Sequence, residues 1–172
     1  VATNAALEGK GVRTAYITNT GLADVLAIGR QTREELYNLT PDLPKVRFDP
    51  SLNLEVDVRL DAKGEVVTPL TPAALKQLER DVKSLKPEAI AINLLFSYLD
   101  PADEMTIEAL FQEHFFVSRS SFVLPEINEY ERGISTWVNS WIGPLINDYL
   151  NSLQRSLAVS YTHLTLPTKR IV

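Results

Sequence analysis

The sequence contains no cysteine, which excludes disulfide bonds, a thiolate nucleophile and zinc or iron–sulfur centres held by cysteine. Histidine is almost as scarce, with two residues, so a histidine-rich metal site is excluded as well. His114 stands beside Glu113 and Phe115, a setting more typical of a surface or half-buried histidine than of a Ser/His/Asp triad. The sequence therefore predicts no metal site and no catalytic triad.

Long apolar runs and a surplus of basic residues are also missing. No run approaches the ~18 residues needed to cross a bilayer, and the first residues show no basic stretch leading into an apolar one. Lysine and arginine number 17 against 22 aspartates and glutamates, a net charge of −5, which is the wrong sign for binding nucleic acid or an anionic membrane. We expect a cytoplasmic protein that binds neither, and the lack of cysteine fits a reducing compartment.

Glycine-rich phosphate loops are absent too. The seven glycines form neither G-x-x-x-x-G-K-[ST] nor G-x-G-x-x-G after a strand, the two standard cradles for nucleotide phosphates. The sequence therefore predicts no standard nucleotide site within this chain.

What is present is a regular alternation of strand and helix signals. β-branched and aromatic residues predict strands, and apolar residues spaced by three and four predict helices. The predicted elements are a strand over 12–18, a short helix within 21–28, a loop or short helix in 29–50, a hairpin of strands 54–60 and 65–68, a helix from 72 to 85 capped by Thr71, a buried strand over 88–96, a helix after Asp100-Pro101, a β-like segment over 116–124 and a long helix over 128–157 that breaks or kinks at Gly143-Pro144. This order predicts an α/β layered fold.

The long predicted helix carries a polar stripe. Glu129, Arg132, Thr136 and Asn139 are spaced by three, four and three, which places them on one helix face. Such a stripe can bind a substrate or a facing subunit, or it can be a solvated face with ordinary ion pairs, and spacing alone favours the solvated face. Another face carries Trp137 and Trp141, and we expect these two to pack inward or against a partner.

Several segments together resemble one protein family. They are residues 1–8, 10–11, 14–18, 21–24, 28–31, 36–37, 94–101, 124–132 and 139–144. Thr-Asn at 3–4, Gly-Arg-Gln at 29–31 and Glu-Tyr-Glu-Arg at 129–132 form the specific part of this pattern. The sequence thereby resembles the N-terminal region of the hydantoinase A/5-oxoprolinase family over residues 1–158.

The resemblance implies a fold and an activity for the full-length protein. The fold is an actin-like, ribonuclease H-like ATPase lobe, here with a β-hairpin insertion. The activity is ATP- and Mg²⁺-dependent opening of a cyclic amide such as a lactam or hydantoin, in which phosphorylation of the amide oxygen lets water attack. The alternatives are a subunit of an ATP-dependent acetone- or acetophenone-type carboxylase and a non-catalytic α/β interaction module.

The resemblance also implies partners and site residues. The expected partners are a hydantoinase B-type subunit or domain and a small cyclic amide. The expected substrate-binding or cleft residues are Thr3, Asn4, Arg30, Gln31, Glu129, Arg132 and Asn139. Glu129, Arg132 and Asn139 are expected to face the cleft between the lobes or the missing lobe, so that Arg132→Ala lowers turnover more than stability.

Two departures from the family pattern limit what is carried over. The family's opening strands and phosphate loop have no counterpart ahead of Val1, so we expect this chain to be an inactive piece of a longer protein that binds no ATP by itself. The family's Asn-Pro-x-His-Glu motif is Asp100-Pro101-Ala102-Asp103-Glu104 here, so no role is assigned to that histidine.

The last fourteen residues, 159–172, have a separate origin in this interpretation. The run Val-Ser-Tyr-Thr-His-Leu-Thr-Leu-Pro-Thr at 159–168 resembles the conceptual translation of a sequencing adaptor, as found at the ends of metagenomic reading frames; as protein it would be a weak strand. The expected division is a family region over 1–158 and a non-native tail over 159–172.

Overall fold

The computed structural model describes residues 2–30 and 48–162, with side chains described for 3–30 and 48–157. A short 3₁₀ turn, Pro50–Leu52, precedes the second strand. The elements in chain order are α1 (Ala2–Leu7), β1 (Thr14–Asn19), α2 (Val25–Ile28), β2 (Asn53–Val56), β3 (Arg59–Leu60), β4 (Val66–Thr68), α3 (Pro72–Leu85), β5 (Ala89–Asn93), α4 (Ala102–Phe111), β6 (Phe116–Arg119), α5 (Ser120–Val123) and α6 (Glu129–Thr162).

Four strands form a parallel sheet in the order β2-β1-β5-β6. The strands β3 and β4 form a separate antiparallel pair. The predicted α/β fold with a β-hairpin is therefore confirmed. The single strand predicted over 54–60 is wrong, because the chain leaves the parallel sheet after Val56 and only Arg59–Leu60 joins the hairpin. Alternation of apolar and polar residues continues across this change of sheet, so it could not show the break.

The sheet is covered on both faces, as the apolar strand at 88–96 predicted. Ile17, Ile90 and Ile92 point to one side, where they pack with Val82 of α3 and Ile107 of α4. On the opposite side, the intervening strand residues Tyr16 and Ala91 pack with Leu26 of α2 and with Trp137 and Trp141 of α6. Both tryptophans thus pack inward, and their rings are stacked with centroids 5.2 Å apart.

The helix α6 lies unusually close to the sheet because small residues face it. A Cβ on Gly133 would lie 2.7 Å from Asn93 Nδ2, and a Cβ on Gly143 would overlap the Phe116 ring. Between them, the Ser140 hydroxyl donates to the Ile90 carbonyl at 2.9 Å. These contacts fix α6 across β5, with its amino end at the carboxyl end of the strand.

Of the break or kink predicted at Gly143-Pro144, the break is wrong. The helix α6 is continuous from Glu129 to Thr162 with Pro144 inside it. Proline removes one backbone hydrogen bond, but the close packing at Ser140 and Gly143 holds the turn before it against the sheet. The helix also crosses the predicted boundary at 158/159, while residues 163–172 lie outside the described part of the chain.

Several local predictions are confirmed by capping contacts. Thr71 caps α3 by accepting from the Ala74 N–H at 3.2 Å, and Pro72 occupies the first turn. Asp100 accepts from the Ala102 N–H at 3.0 Å at the start of α4. The β-like segment at 116–124 is only half strand, because β6 ends at Arg119 and α5 follows at once. Within the residues that the structure describes, no helix has the length and apolarity needed to span a membrane.

Candidate functional site at the carboxyl edge of the sheet

The strand order creates one position where a parallel sheet ordinarily binds ligands. From β1 the chain moves to β2 on one side, and it later returns to β5 on the other side of β1. In open α/β sheets the crevice at such a switch point, outside the carboxyl ends of the strands, is the usual ligand site. Here the two strands flanking the switch point both end in asparagine, Asn19 on β1 and Asn93 on β5.

Both the nitrogen and the oxygen of the Asn19 side-chain amide are hydrogen-bonded to neighbouring loops. Its Nδ2 donates to the Val58 carbonyl, and its Oδ1 accepts from the Leu95 N–H at 2.6 Å. The cavity beside it, lined also by Ser97 and Asp103, has a volume of ≈ 10 Å³, about the space of one water molecule. Asn19 therefore ties the hairpin to the loop after β5 and leaves no room for a larger ligand.

The side chain of Asn93 connects the sheet to the amino end of α6. Its Nδ2 donates to Tyr16 Oη at 2.8 Å and to the Glu129 carbonyl at 3.0 Å. Its buried Oδ1 has no hydrogen-bond partner among the described residues. Burial, partly opposed by the hydrogen bond from Asn93, raises the pKa of Tyr16 to about 12. Tyr16 is thus a neutral phenol across the physiological pH range.

Arg132 lies inside the protein. It is 0% exposed. Its Nη2 donates to the Leu94 carbonyl at 2.7 Å and its Nη1 to the Ser97 hydroxyl at 3.3 Å, and its guanidinium lies 5.4 Å from the centroid of the Tyr98 ring. Burial lowers the pKa of Arg132, and the negative charge of Glu104 opposes this shift. Arg132 therefore anchors the loop that follows β5.

Glu104 of α4 supplies the opposite charge. It is also 0% exposed, and it accepts from the Leu94 N–H at 2.9 Å, the Ser120 hydroxyl at 2.6 Å and the Ser121 N–H at 2.8 Å. The hydroxyls of Ser97 and Ser120 lie 3.1 Å apart and so link the carboxylate to the guanidinium of Arg132. This buried network, Glu104–Ser120–Ser97–Arg132, joins two loops at the carboxyl edge.

The loop held by this network contains a residue in a strained conformation. Phe96 has φ 59°, in the left-handed region that residues other than glycine rarely adopt. Such conformations persist where the surrounding contacts over-determine them. Here those contacts are the bonds that Asn19, Glu104 and Arg132 make to Leu94 and Leu95.

The exposed part of the site surrounds the amino end of α6. Arg30, just after α2, donates from Nε to Glu131 Oε1 at 2.7 Å, and its Nη2 lies 2.7 Å from the same oxygen. The exposed Glu129 begins the helix. Gln31 lies outside the described residues. The sequence-predicted residues Arg30, Glu129 and Arg132 are thus brought to one end of α6, although Arg132 is beneath the surface.

The other sequence-predicted residues lie elsewhere. Thr3 and Asn4 are exposed on α1, which packs on α6 through Ala5 and Ala6. Asn139, about two helical turns beyond Arg132, donates to the Ser118 hydroxyl of β6 at 2.9 Å. The predicted polar stripe on one open face is wrong, because Arg132 and Thr136 are buried whereas Glu129 and Asn139 are exposed.

Sequence reasoning missed most of the buried network. Glu104 stands in the Asp100–Glu104 motif at the start of a predicted helix. Ser97 lies between a predicted strand and that helix, and Ser120 lies in the β-like segment predicted over 116–124. The available signal was a set of polar residues directly after two apolar strands, at positions that a parallel sheet places on one edge.

Fold and site together define a parallel α/β domain whose carboxyl-edge loops are fixed by buried polar side chains. Comparison with known proteins identifies its relatives. The chain belongs to the hydantoinase/oxoprolinase family, since residues 1–115 match that family's N-terminal region. The resemblance seen in the sequence is thus confirmed.

Three relatives show how much of such proteins the chain represents. 5-Oxoprolinase 1 of Arabidopsis thaliana is 32% identical over 170 residues, covering 88% of this chain and 13% of that protein. The crystal structure of the ATP-dependent caprolactamase from Pseudomonas jessenii matches with a TM-score of 0.80 at 25% identity, covering 89% of this chain and 23% of that one. A nucleotide-free acetone carboxylase structure matches with a TM-score of 0.72 at 24% identity, covering 83% of this chain and 22% of that one. The chain therefore spans less than a quarter of each relative.

Proposed function

We propose that this chain is one domain of an ATP-dependent enzyme that opens a cyclic amide, a lactam or hydantoin, by hydrolysis. The observation that carries the proposal is the match to the ATP-dependent caprolactamase, with a TM-score of 0.80 over 89% of the chain. Family membership and the likeness to a 5-oxoprolinase support it. Both named enzymes act on a ring that contains an amide. An enzyme of this kind would work in the cytoplasm, where ATP is made.

The described residues do not fit ATP by themselves. The cavity at the carboxyl edge holds about one water molecule, at ≈ 10 Å³. A larger groove along α6, of ≈ 420 Å³, is lined by five aliphatic side chains, Ser135 and Asn139, so it offers no cation to a triphosphate. The described residues also contain no group of three or more side chains that could hold a metal ion. In this proposal ATP, and Mg²⁺ with it, bind to parts of the enzyme other than these residues, as an actin-like ATPase of two lobes would allow.

The contribution of this chain is the charged surface at the amino end of α6, formed by Arg30, Glu129 and Glu131. It lies at the carboxyl edge of the sheet, where α/β enzymes bind their ligands. The two carboxylates offer hydrogen-bond acceptors and Arg30 offers donors, which suits the N–H and C=O of a cyclic amide. The buried network beneath this surface fixes its shape, so Arg132 and Glu104 act as positioning residues.

A partner subunit is part of the proposal. Among the relatives of this chain are proteins named as subunits, the caprolactamase alpha subunit and the acetophenone carboxylase gamma subunit. We therefore place this chain in a multi-subunit enzyme, with a hydantoinase B-type subunit as the expected partner.

The test of the reaction is a substrate panel with the full-length protein and its partner. We expect ring-opened product, identified by mass spectrometry, from 5-oxoproline, a hydantoin or caprolactam, in the presence of Mg·ATP and not without it. The fold match to acetone carboxylase keeps a second candidate open, ATP-dependent carboxylation of a ketone. Carboxylated ketone formed from labelled bicarbonate, with no ring opening, would overturn the hydrolase assignment. No turnover of either class would leave the domain as an interaction module.

The test of the surface uses charge-neutral variants. Glu129→Gln and Arg30→Gln should lower kcat/KM by about 10²-fold, the effect of losing a substrate-positioning contact, with a melting temperature unchanged within about 1 °C. Arg80→Gln, on the exposed side of α3, is the matched control and should change neither quantity. Unchanged kcat/KM in both surface variants would remove this surface from the site.

A further inference from the structure

Beside the tryptophan cluster, α6 carries an open apolar groove. Its volume is ≈ 420 Å³, and it is lined by Ile134, Val138, Ile142 and Ile146 of α6, Val123 of α5, and the polar Ser135 and Asn139. The four α6 residues are spaced by four, so they form one continuous row along the helix. The lining contains no charged side chain.

The sequence of α6 indicates that this row is covered in the working protein. Residues 133–147 contain no charged residue, so this stretch of the helix is uncharged on every face. A surface helix ordinarily carries charged and polar residues on the face opposite the core, and this stretch carries polar residues but no charged one. Here the sheet covers one side of α6, and the row itself packs on the Trp137–Trp141 cluster along one edge, while its other edge lines the open groove.

The relatives indicate what covers it. The caprolactamase chain contains this fold as 23% of its length, so more than three quarters of such a polypeptide lies beyond the matched domain. A covalently joined segment acts at a high effective concentration, and permanent contacts of this kind are the more apolar ones. A transient partner would be expected to leave polar and charged residues around the groove, and its lining has none with charge.

We propose that the groove lined by Val123, Ile134, Val138, Ile142 and Ile146 is the docking surface for an apolar, uncharged segment of the same polypeptide, contributed by the part of the protein beyond these 172 residues. This interface is independent of which substrate the enzyme takes, so its test is separate from the test of the proposed function.

The test uses a thiol as a probe of burial. The chain has no cysteine, so Val138→Cys places a single thiol of this domain in the groove. Ala73→Cys, on an exposed position of α3, is the matched control. Both variants are made in the 172-residue chain and in the full-length protein, and maleimide labelling of the two sites is followed by peptide mass spectrometry, so that cysteines elsewhere do not interfere.

We expect the thiol of Val138→Cys to react at least about tenfold more slowly than that of Ala73→Cys in the full-length protein alone, as a buried site requires. In the 172-residue chain the two thiols should react at similar rates at every protein concentration. Equal rates in the full-length protein would overturn the proposal. Protection that grows with the concentration of the 172-residue chain would assign the groove to a second copy. Protection of the full-length protein only after addition of its partner subunit would assign it to that subunit. If Val138→Cys fails to fold, Ser135→Cys gives the same comparison with a smaller change.

Discussion

Replacing Arg132 by alanine should destabilise the domain strongly. The guanidinium is 0% exposed and bonds to the Leu94 carbonyl and the Ser97 hydroxyl. Its removal leaves the carboxylate of Glu104, also 0% exposed, without an opposite charge. Breaking a directly paired buried salt bridge from one side costs about 3–5 kcal/mol. Because Ser97 and Ser120 lie between these two charges, this range is the upper end of the expected loss, a large share of the ~5–15 kcal/mol by which a domain is stable.

The expected loss in the free energy of unfolding is measured by urea unfolding followed by circular dichroism. It also corresponds to a fall in melting temperature of roughly 6–20 °C, at about 2–4 °C per kcal/mol for a chain of this size. Glu129→Ala, one helical turn away and exposed, is the control and should change stability by less than about 0.5 kcal/mol. Glu104→Gln should cost less in the Arg132→Ala background than in the wild type, because there it also removes the uncompensated charge. The two substitutions should therefore couple by about 0.5–3 kcal/mol.

A loss below about 1 kcal/mol for Arg132→Ala, or strict additivity with Glu104→Gln, would show that the buried charges of Arg132 and Glu104 do not stabilise each other. This prediction revises the one made from the sequence, in which Arg132→Ala lowers turnover more than stability. In the structure Arg132 holds the loop after β5 and is too buried to contact a substrate at the surface. In the full-length enzyme we therefore expect stability and turnover to fall together.

Three further predictions concern the packing, a buried phenol and the tail. Gly133→Ala should lower the free energy of unfolding by about 1–3 kcal/mol through overpacking, since its Cβ would lie 2.7 Å from Asn93 Nδ2 and 2.8 Å from Tyr16 Oη. Helix propensity alone would instead raise stability. An increase in stability in urea unfolding would therefore contradict the close packing of α6. Burial raises the pKa of Tyr16 from 10.0 to about 12. The contribution of Tyr16 to the free energy of unfolding should therefore be constant below pH 10 and fall by about 1.4 kcal/mol per pH unit from pH 10 to pH 12, because the unfolded chain loses the proton first. Tyr16→Phe should remove this slope, and an unchanged slope would show that other groups cause it. Deleting residues 159–172 should change the free energy of unfolding by less than about 0.5 kcal/mol, and a loss above about 2 kcal/mol would show that the tail packs on the domain.

Local sequence signals predicted the helices and strands that are fixed by short-range contacts. The start of α3 was readable because Thr71 and Pro72 act within one turn. The central strand β5 was readable because burial on both faces leaves an uninterrupted apolar run. The chain's departure from the sheet after Val56 was not readable, because residues on both sides of the change keep the same alternation.

The environment of α6 depended on tertiary contacts that spacing does not contain. The pattern correctly placed Trp137 and Trp141 on one face and Arg132 and Thr136 on another, but it did not show that the second face also meets the sheet. A charged residue was assigned to solvent by default, since arginine is rarely fully buried. The opposite charge on α4 that permits the burial of Arg132 is 28 positions earlier in the chain, too far for any helical spacing to indicate.

The candidate site was predicted in part. Arg30, Glu129 and Arg132 came from the family resemblance, and the structure brings these three to the amino end of α6. The asparagines that end β1 and β5 could be recognised only once the strand order showed that the two strands are neighbours.

The most direct test of the central claim is the balance between phosphate release and ring opening in the full-length protein with its partner. Phosphate is measured by a colorimetric assay and ring-opened amide by mass spectrometry in the same samples. We expect equal amounts of the two products, neither formed when ATP or the cyclic amide is omitted. Ring opening without ATP, or phosphate release that does not depend on the cyclic amide, would contradict the proposed reaction.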